Sequence, residues 1–294
     1  MQPTYNHMPK MAVDRPVTED VRNFLFVPGF FLLLGTLSML KFTLVAAPLA
    51  AIACLLVTVS KCYSLWYPVR EPGAIFPAIS ALGIAYPQKL VYQSGFATVG
   101  VLLGIHIYVF RDTILKPHFS KNQVLSKTAD NCVWYGFQAA LGAGLQGLYT
   151  LQVNMSLQNL VHWGGAIMFM SGAMQHAQLS TDLYMKHGPE FDVEVLDIPE
   201  IRQIAYFRSL ILKYSSVMMF APMILGQIFF ASGNNTDNSQ AETKTSEGPA
   251  SPPSQQQQSP AMMNSMGLMQ WVIILQFSIY FCSYAVDLWF IDRL

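Results

Sequence analysis

Residues 90–110 read LVYQSGFATVGVLLGIHIYVF, a run that contains no Asp, Glu, Lys or Arg. A membrane-spanning helix needs about 20 mostly apolar residues to cross a hydrocarbon core of roughly 30 Å. Five further runs of this kind lie at 42–63, 133–153, 157–179, 209–231 and 268–290. Because a lipid-exposed strand would leave backbone groups unpaired, these runs predict an all-α polytopic membrane protein with a six-helix transmembrane bundle.

The overall composition agrees with a membrane location. The 294 residues are 52% hydrophobic and only 12% charged, whereas soluble domains carry roughly 25% charged residues. The formal net charge is zero, which argues against a nucleic-acid partner. The four cysteines show no CxxC spacing, and we find no motif that indicates a metal or a cofactor.

An additional apolar stretch at 24–40 precedes the first predicted span. Only Lys41 separates the two, and one residue cannot reverse a helix. The stretch is therefore an interfacial helix, part of one long tilted helix, or a seventh span. We favour the interfacial helix, because Pro28 and Gly29 would break a continuous one. Residues 1–41 are then an N-terminal segment, and 42–294 form the six-span domain.

The distribution of basic residues predicts the orientation in the membrane. With six spans, thirteen of the 17 Lys and Arg residues fall on one side. The positive-inside rule places that side in the cytosol, so both termini are predicted to be cytosolic. An extra span would move the N-terminal charges to the opposite face, which argues against it.

Two connections on the non-cytosolic side have distinctive compositions. Residues 232–265 are rich in Ser, Asn, Pro and Gln, which predicts a disordered linker. Two N-x-[ST] sequons, at Asn154 and Asn234, are candidate glycosylation sites. Both lie close to predicted membrane ends.

Polar side chains inside the predicted spans are candidates for function, because ionisable groups are costly in lipid. Three histidines fall in spans, at His106, His162 and His176. Asp287 is the acid nearest to a span centre, and either Lys213 pairs with it or the lysine reaches to the interface. Gln175 and Gln270 complete the polar candidates of the bundle. Hydrogen bonds between helices are one explanation for such residues, and lipid binding is the other.

Small residues recur at helical spacing in the second, third and fourth spans. Gly100 and Gly104 form a GxxxG pair, and further glycines follow at 142, 144, 147, 164, 165 and 172. Such positions let helix backbones approach closely in a membrane. They indicate tight helix packing.

The segment between the first two spans, residues 66–88, reads WYPVREPGAIFPAISALGIAYPQ. Its four prolines exclude a long helix. It is nevertheless apolar for an exposed loop, since Ile75, Phe76, Ile79 and Leu82 all need cover. We predict that it folds back over the outer end of the bundle as a lid at the level of the lipid headgroups.

Part of this segment resembles the P-x-I-S-x-x-G-x-x-x-P-[EQ] signature of the Frag/DRAM/Sfk superfamily. The residues that carry the resemblance are Phe76, Pro77, Ile79, Ser80, Gly83, Pro87 and Gln88. Residues 160–172, around His162-Trp163-Gly164-Gly165, are similar to the fourth-span pattern of that family. Gln270-Trp271 with Asp287 is similar to its last-span E-W…D pattern, with Gln270 in place of the usual Glu.

The resemblance implies a six-span bundle with cytosolic termini and a non-enzymatic role in lipid handling or membrane regulation. The roles implied are GPI-anchor lipid remodelling, regulation of phosphoinositides or lipid asymmetry, and autophagy. The implied partners are membrane lipids, with GPI-anchored proteins or a lipid kinase. The implied location is a membrane of the secretory pathway, Golgi, lysosome or cell surface.

Two alternatives stay open. One is a membrane-embedded lipid-modifying enzyme with His162 as general base near Ser80. The other is a small-molecule transporter, although we see neither an internal repeat nor an acid near the membrane midplane.

Overall fold

The computed structural model describes residues 40–70, 73–152, 156–215, 217, 224 and 260–290. Within those residues the longer helices are α1 Leu40–Trp66, α2 Gln88–Phe110, α3 Gln123–Leu148, α4 Leu157–Asp182, α5 Pro199–Lys213 and α6 Pro260–Phe290. Shorter helical turns join them, and no strand occurs in the part of the chain that is described. The all-α prediction is confirmed for these residues.

Three described helical segments are long and apolar enough to cross a membrane: Val45–Val69, Gln88–Phe119 and Asn264–Phe290. They correspond to the predicted first, second and sixth spans. Helices α3 and α4 have 26 residues each, which is about 39 Å at 1.5 Å per residue, but they are more polar. The apolar stretch 24–40 and most of the predicted fifth span lie outside the described residues.

Several helix boundaries differ from the predicted ones. Helix α3 begins at Gln123, ten residues before the predicted span, because the Asn122 side chain accepts a hydrogen bond from the Val124 N–H at 2.7 Å. It ends at Leu148, so the predicted span was placed too far along the chain. Its polar first turns carry the helix beyond the apolar run on which the prediction rested.

The prediction of a disordered linker over 232–265 was wrong at its C-terminal end. Helix α6 begins at Pro260, and both Asn264 and Ser265 are buried. Proline suits the first turn of a helix, where its missing N–H is not needed. The rest of the predicted linker lies outside the described residues.

The helices pack mainly against their neighbours in sequence. Helix α2 contacts α1 and α3, and α4 contacts α3, while α6 contacts both α1 and α5. Two ends of this bundle can be distinguished by the contacts of α6. Tyr63 near the end of α1 lies against Trp271 near the start of α6, whereas Arg208 of α5 pairs with Asp287 near the end of α6. We call the first the lid end and the second the far end.

Close helix contacts depend on glycine, as the spacing predicted. A Cβ added to Gly100 of α2 would lie 2.8 Å from the carbonyl oxygen of Ala140 in α3. One added to Gly172 of α4 would lie 2.6 Å from the Ala139 nitrogen. Real side chains do not tolerate such distances, so these glycines set the separation of α2, α3 and α4.

Candidate functional site

The lid is described over residues 67–70 and 73–87, where it crosses the lid end of the bundle in short 3₁₀ turns. The turns cover Tyr67–Val69 and Ile79–Gly83, and proline lies in or beside both. Proline fixes its own backbone and removes a donor, so the chain turns here without extending into a helix. The described residues of the lid form no long helix, in agreement with the effect expected of the prolines. The position of the lid at the level of the lipid headgroups stays a prediction.

The apolar side chains of the lid divide into two groups. Ile79 and Leu82 are buried, as expected for residues that cover a bundle. Ile75 and Tyr86 are instead exposed, with 45% and 63% of their surface accessible. The lid therefore has an inner face against the helices and an apolar outer rim.

Basic side chains lie beside aromatic rings at the rim of the lid. The Arg70 guanidinium lies 3.5 Å from the centroid of the Tyr67 ring, and the Lys89 ammonium lies 5.5 Å from that of Tyr86. Amphipathic aromatic and basic side chains are typical of the membrane–water interface. The rim therefore combines basic and aromatic side chains.

Asn264 of α6 holds the first part of the lid by its backbone. Its Oδ1 accepts hydrogen bonds from the N–H groups of Ile75 and Phe76, at 2.8 and 3.0 Å. Its Nδ2 donates to the carbonyl oxygen of Gly73 at 2.8 Å. One buried amide thereby satisfies three backbone groups that no regular secondary structure pairs.

Gln270 and Trp271, two helical turns further along α6, hold the next part of the lid. Gln270 Oε1 accepts from the Ile79 N–H at 2.8 Å, and Trp271 Nε1 donates to the carbonyl oxygen of Pro77 at 3.1 Å. An amide oxygen thus occupies the acceptor position where the resemblance leads us to expect a carboxylate. We call Asn264, Gln270 and Trp271 the clamp.

Gly267 lets α6 approach the lid between these contacts. A Cβ at this position would collide with the carbonyl oxygen of Phe76 and come within 2.9 Å of the carbonyl carbon of Pro77. Asn264, Gly267 and Trp271 follow each other at intervals of three and four residues, so they share one face of α6. The lid packs against that face of α6.

The remaining residues of the lid motif have separate positions. Gly83 lies against the ring of Tyr92, where an added Cβ would be 2.7 Å from Cγ. Pro87, which follows a cis peptide bond, precedes the first turn of α2, and Gln88 is buried in that turn. Ser80 is half-buried.

His162 of α4 is buried at the lid end and is oriented by the backbone. Its Nδ1 lies 2.7 Å from the carbonyl oxygen of Tyr149. Its ring centroid is 6.4 Å from that of Tyr92, the ring covered by Gly83. No hydrogen bond joins His162 to Ser80 among the described residues, so the structure does not bring the predicted catalytic pair together.

His176 and Asp287 lie at the far end, away from the lid. His176 Nδ1 contacts the Cys132 carbonyl oxygen at 2.9 Å, and its ring stacks on Phe281 at 5.7 Å between centroids. Asp287 Oδ2 accepts from Arg208 Nη1 at 2.7 Å, with both side chains almost inaccessible, at 1% and 0%. Asp287 thus pairs with Arg208, and the suggested pairing with Lys213 was wrong.

Arg208 and Asp287 belong to a larger buried set that we call the far-end cluster. The Tyr184 hydroxyl donates to Asp287 Oδ2 at 3.2 Å, and Arg208 Nε donates to Ser283 Oγ at 2.7 Å. The guanidinium also lies 4.2 Å from the Tyr284 ring centroid. These contacts join α5 to α6, and Tyr184 ties the turn that follows α4 to the same acid.

Other predicted polar positions lie outside both sites. Gln175 is exposed on α4. Asn154 and Asn234, the candidate glycosylation sites, lie outside the described residues.

Sequence reasoning missed Asn264 and Arg208. Asn264 fell inside a low-complexity stretch, and its clamp contacts join residues 188 to 191 positions apart. Arg208 entered the orientation prediction only as one of the thirteen basic residues on the predicted cytosolic side. The available signal for the pair was that an Arg and an Asp both lie close to predicted span ends on the same side of the membrane.

Comparisons with known proteins agree with the motif of the lid. Neither a curated protein nor a solved structure matches the chain. A family model, described as the Frag1/DRAM/Sfk1/Cwh43P N-terminal domain, matches residues 36–291. The match includes the lid, the clamp and the far-end cluster, and it covers most of the chain. The chain therefore belongs to the Frag1/DRAM/Sfk1/Cwh43P N-terminal domain family of membrane proteins.

Proposed function

We propose that this protein is a non-enzymatic membrane protein that handles lipid at its lid end. The observation that carries the proposal is the clamped lid. A proline-rich segment with an apolar, basic and aromatic rim is held against α6 by side chains that bond its backbone. Bonds to the backbone fix the path of the lid, and they leave its rim side chains free to contact headgroups.

The proposal includes six membrane crossings with both termini in the cytosol. Three described segments, Val45–Val69, Gln88–Phe119 and Asn264–Phe290, are long and apolar enough to cross a membrane. The predicted third, fourth and fifth spans would supply the other three crossings. The distribution of the basic residues supports the cytosolic side for both termini.

The roles implied by the resemblance remain the candidates for what the lipid handling achieves. They are remodelling of GPI-anchor lipid, regulation of phosphoinositides or lipid asymmetry, and autophagy. Membrane lipids are the proposed ligands, and GPI-anchored proteins or a lipid kinase are the proposed partners. The proposed location is a membrane of the secretory pathway, Golgi, lysosome or cell surface.

Neither alternative is favoured by a particular contact. An enzyme would need a base directed at its nucleophile, whereas His162 is directed at the Tyr149 carbonyl. A proton- or ion-coupled transporter would need an available acid, whereas Asp287 is bound to Arg208.

Complementation of cells that lack the protein tests the proposal. The variants are Asn264→Leu and Trp271→Ala, which weaken the clamp, and Gly164→Ala, which has no heavy atom within 4 Å of the new methyl group. We expect wild-type protein and G164A to restore the lipid composition and the surface level of GPI-anchored proteins. The clamp variants, present at equal abundance, should not.

Full restoration of both readouts by the two clamp variants would contradict the proposed role of the lid. A change confined to GPI lipids would select GPI-anchor remodelling. A change confined to phosphoinositides would select phosphoinositide regulation.

A further inference from the structure

Three buried polar atoms at the lid end have no hydrogen-bond partner among the described residues. They are Gln88 Oε1, Thr150 Oγ1 and His162 Nε2. Their side chains are 2%, 0% and 1% exposed, so bulk water does not satisfy them. Buried polar atoms without partners are rare, and each one calls for a ligand, an ordered water or another explanation.

The three atoms belong to one region beneath the lid. His162 binds the Tyr149 carbonyl, and Thr150 is the next residue along the chain. The His162 ring is 6.4 Å from Tyr92, which lies one helical turn after Gln88 on the same face of α2. Gly83 of the lid rests on the Tyr92 ring. The lid therefore closes over the helix face and the loop that carry these atoms.

The hydrogen-bonding character of the three atoms is well defined. A carbonyl oxygen only accepts, so His162 Nδ1 carries the hydrogen in its 2.7 Å contact with Tyr149. In the neutral imidazole Nε2 is then an acceptor, and Gln88 Oε1 is an acceptor by its nature. The Thr150 hydroxyl can accept or donate. The region is thus rich in acceptors.

An acceptor-rich region selects a ligand that donates hydrogen bonds. Hydroxyl groups donate hydrogen bonds. An ionised phosphate has only acceptor oxygens, which cannot form hydrogen bonds with the acceptors of this region. Gln88, Tyr92, Thr150 and neutral His162 supply no positive charge to offset a phosphate. The match is an uncharged headgroup with more than one hydroxyl group.

We propose that the region beneath the lid binds the uncharged, polyhydroxyl headgroup of a lipid, with Gln88, Thr150 and His162 as its hydrogen-bond acceptors. This rests on the proposed lipid-handling function and names the chemistry of the ligand. The apolar rim of the lid then contacts the acyl chain, and the clamp retains the lid over the headgroup. An ordered water at the same atoms is the competing explanation.

Equilibrium binding to the purified full-length protein tests this assignment. The probes are radiolabelled 1-oleoylglycerol, which has two hydroxyl groups and no charge, and 1-oleoyl lysophosphatidic acid, which replaces one hydroxyl with a phosphate. We expect 1-oleoylglycerol to bind at least roughly tenfold more tightly, the equivalent of one or two hydrogen bonds. Equal binding of the two probes, or binding of neither, would overturn the assignment.

Two near-isosteric variants test the named atoms. Thr150→Val removes the hydroxyl group, and His162→Asn removes Nε2 but keeps an N–H in the place of Nδ1. Each should weaken 1-oleoylglycerol binding roughly fivefold, the effect of one hydrogen bond. Thr113→Val is the matched control, because its hydroxyl bonds the Val109 carbonyl at 2.7 Å in the polar turn after α2, near the far end.

Thermal melting of each variant by size-exclusion chromatography separates lost binding from lost folding. Folded variants that bind 1-oleoylglycerol as tightly as the wild type would overturn the assignment. Free glycerol should not displace the probe, because the acyl chain supplies much of the affinity. If free glycerol displaced the probe as effectively as unlabelled 1-oleoylglycerol does, the proposal that the ligand is a lipid would be wrong.

The binding and complementation experiments can fail separately. If the clamp variants alter cellular lipids but 1-oleoylglycerol does not bind, the lipid-handling function stands and the headgroup assignment falls. If the clamp variants restore all cellular lipids, the function on which the assignment rests falls as well.

Discussion

The two ends of the bundle bury polar groups in opposite ways. At the lid end, uncharged side chains of α6 bond the backbone of a non-helical segment, and the contacts are partly exposed. At the far end, a charged pair between α5 and α6 is almost inaccessible and is surrounded by tyrosines and serines. The same helix, α6, supplies residues to both.

The two kinds of contact differ in the free energy needed to break them. A neutral hydrogen bond contributes roughly 1 kcal/mol, so each contact of the clamp is individually weak. Separation of a buried ion pair leaves a charge without compensation and costs several kcal/mol. The far end therefore fixes α5 against α6, whereas each contact of the clamp costs little to break.

Removal of one charge at the far end should have the largest effect. Asp287→Leu leaves the buried Arg208 guanidinium without a negative charge to compensate it, which we expect to cost about 3–5 kcal/mol. The melting temperature of the purified protein, followed by size-exclusion chromatography, should fall sharply. The double variant R208M/D287L removes both charges and should recover most of the loss. A single variant as stable as the wild type would show that the far end is not a fixed joint.

Removal of the Asn264 amide should loosen the lid and leave the bundle intact. Asn264→Leu loses three hydrogen bonds, a change of roughly 2–3 kcal/mol in lid opening. Hydrogen exchange of the Ile75 and Phe76 amides should then accelerate roughly 30- to 150-fold. Ser278→Ala is the control, since its hydroxyl bonds only the Ile274 carbonyl of its own helix. Unchanged exchange at both amides would mean that the clamp does not hold the lid.

A methyl group at Gly267 should displace the lid by steric contact. In Gly267→Ala the new Cβ collides with the Phe76 carbonyl, and we expect a cost of about 1–3 kcal/mol from overpacking. Exchange over 73–79 should rise, with little change in melting temperature. Gly164→Ala is the matched control, because nothing lies within 4 Å of its added Cβ. Equal exchange in the two variants would show that close approach of α6 is not needed to seat the lid.

Replacement of Gln270 by Glu should have the smallest effect on the stability of the lid. A carboxylate in Gln270→Glu can still accept from the Ile79 N–H, and a charged acceptor strengthens such a bond by about 1 kcal/mol. In Gln270→Glu the hydrogen exchange of the Ile79 amide should slow a few-fold. In Gln270→Leu it should accelerate roughly fivefold. If both variants accelerate exchange equally, the acceptor oxygen is not what holds Ile79.

Local chemistry accounts for the parts of the fold that were predictable. The uncharged run at 90–110 forms α2, and the prolines of residues 66–88 produce a turn-rich lid, because each rule acts within a few residues. The boundaries of α3 and α6 were less predictable. A polar first turn and the few helical residues at 260–265 do not stand out when hydropathy or composition is averaged over a window.

The order of the residues was enough to predict that the chain is helical and apolar enough for a membrane, that glycines bring α2, α3 and α4 together, and that residues 66–88 do not form one long helix. Those properties follow from the length of apolar runs and from backbone chemistry. The contacts of Asn264 with the lid and of Asp287 with Arg208 depend on how distant segments pack, so they became visible only in the folded chain. Lys213 is five residues after Arg208, about 140° further around α5, so the rotation of a packed helix selects which cation meets the acid.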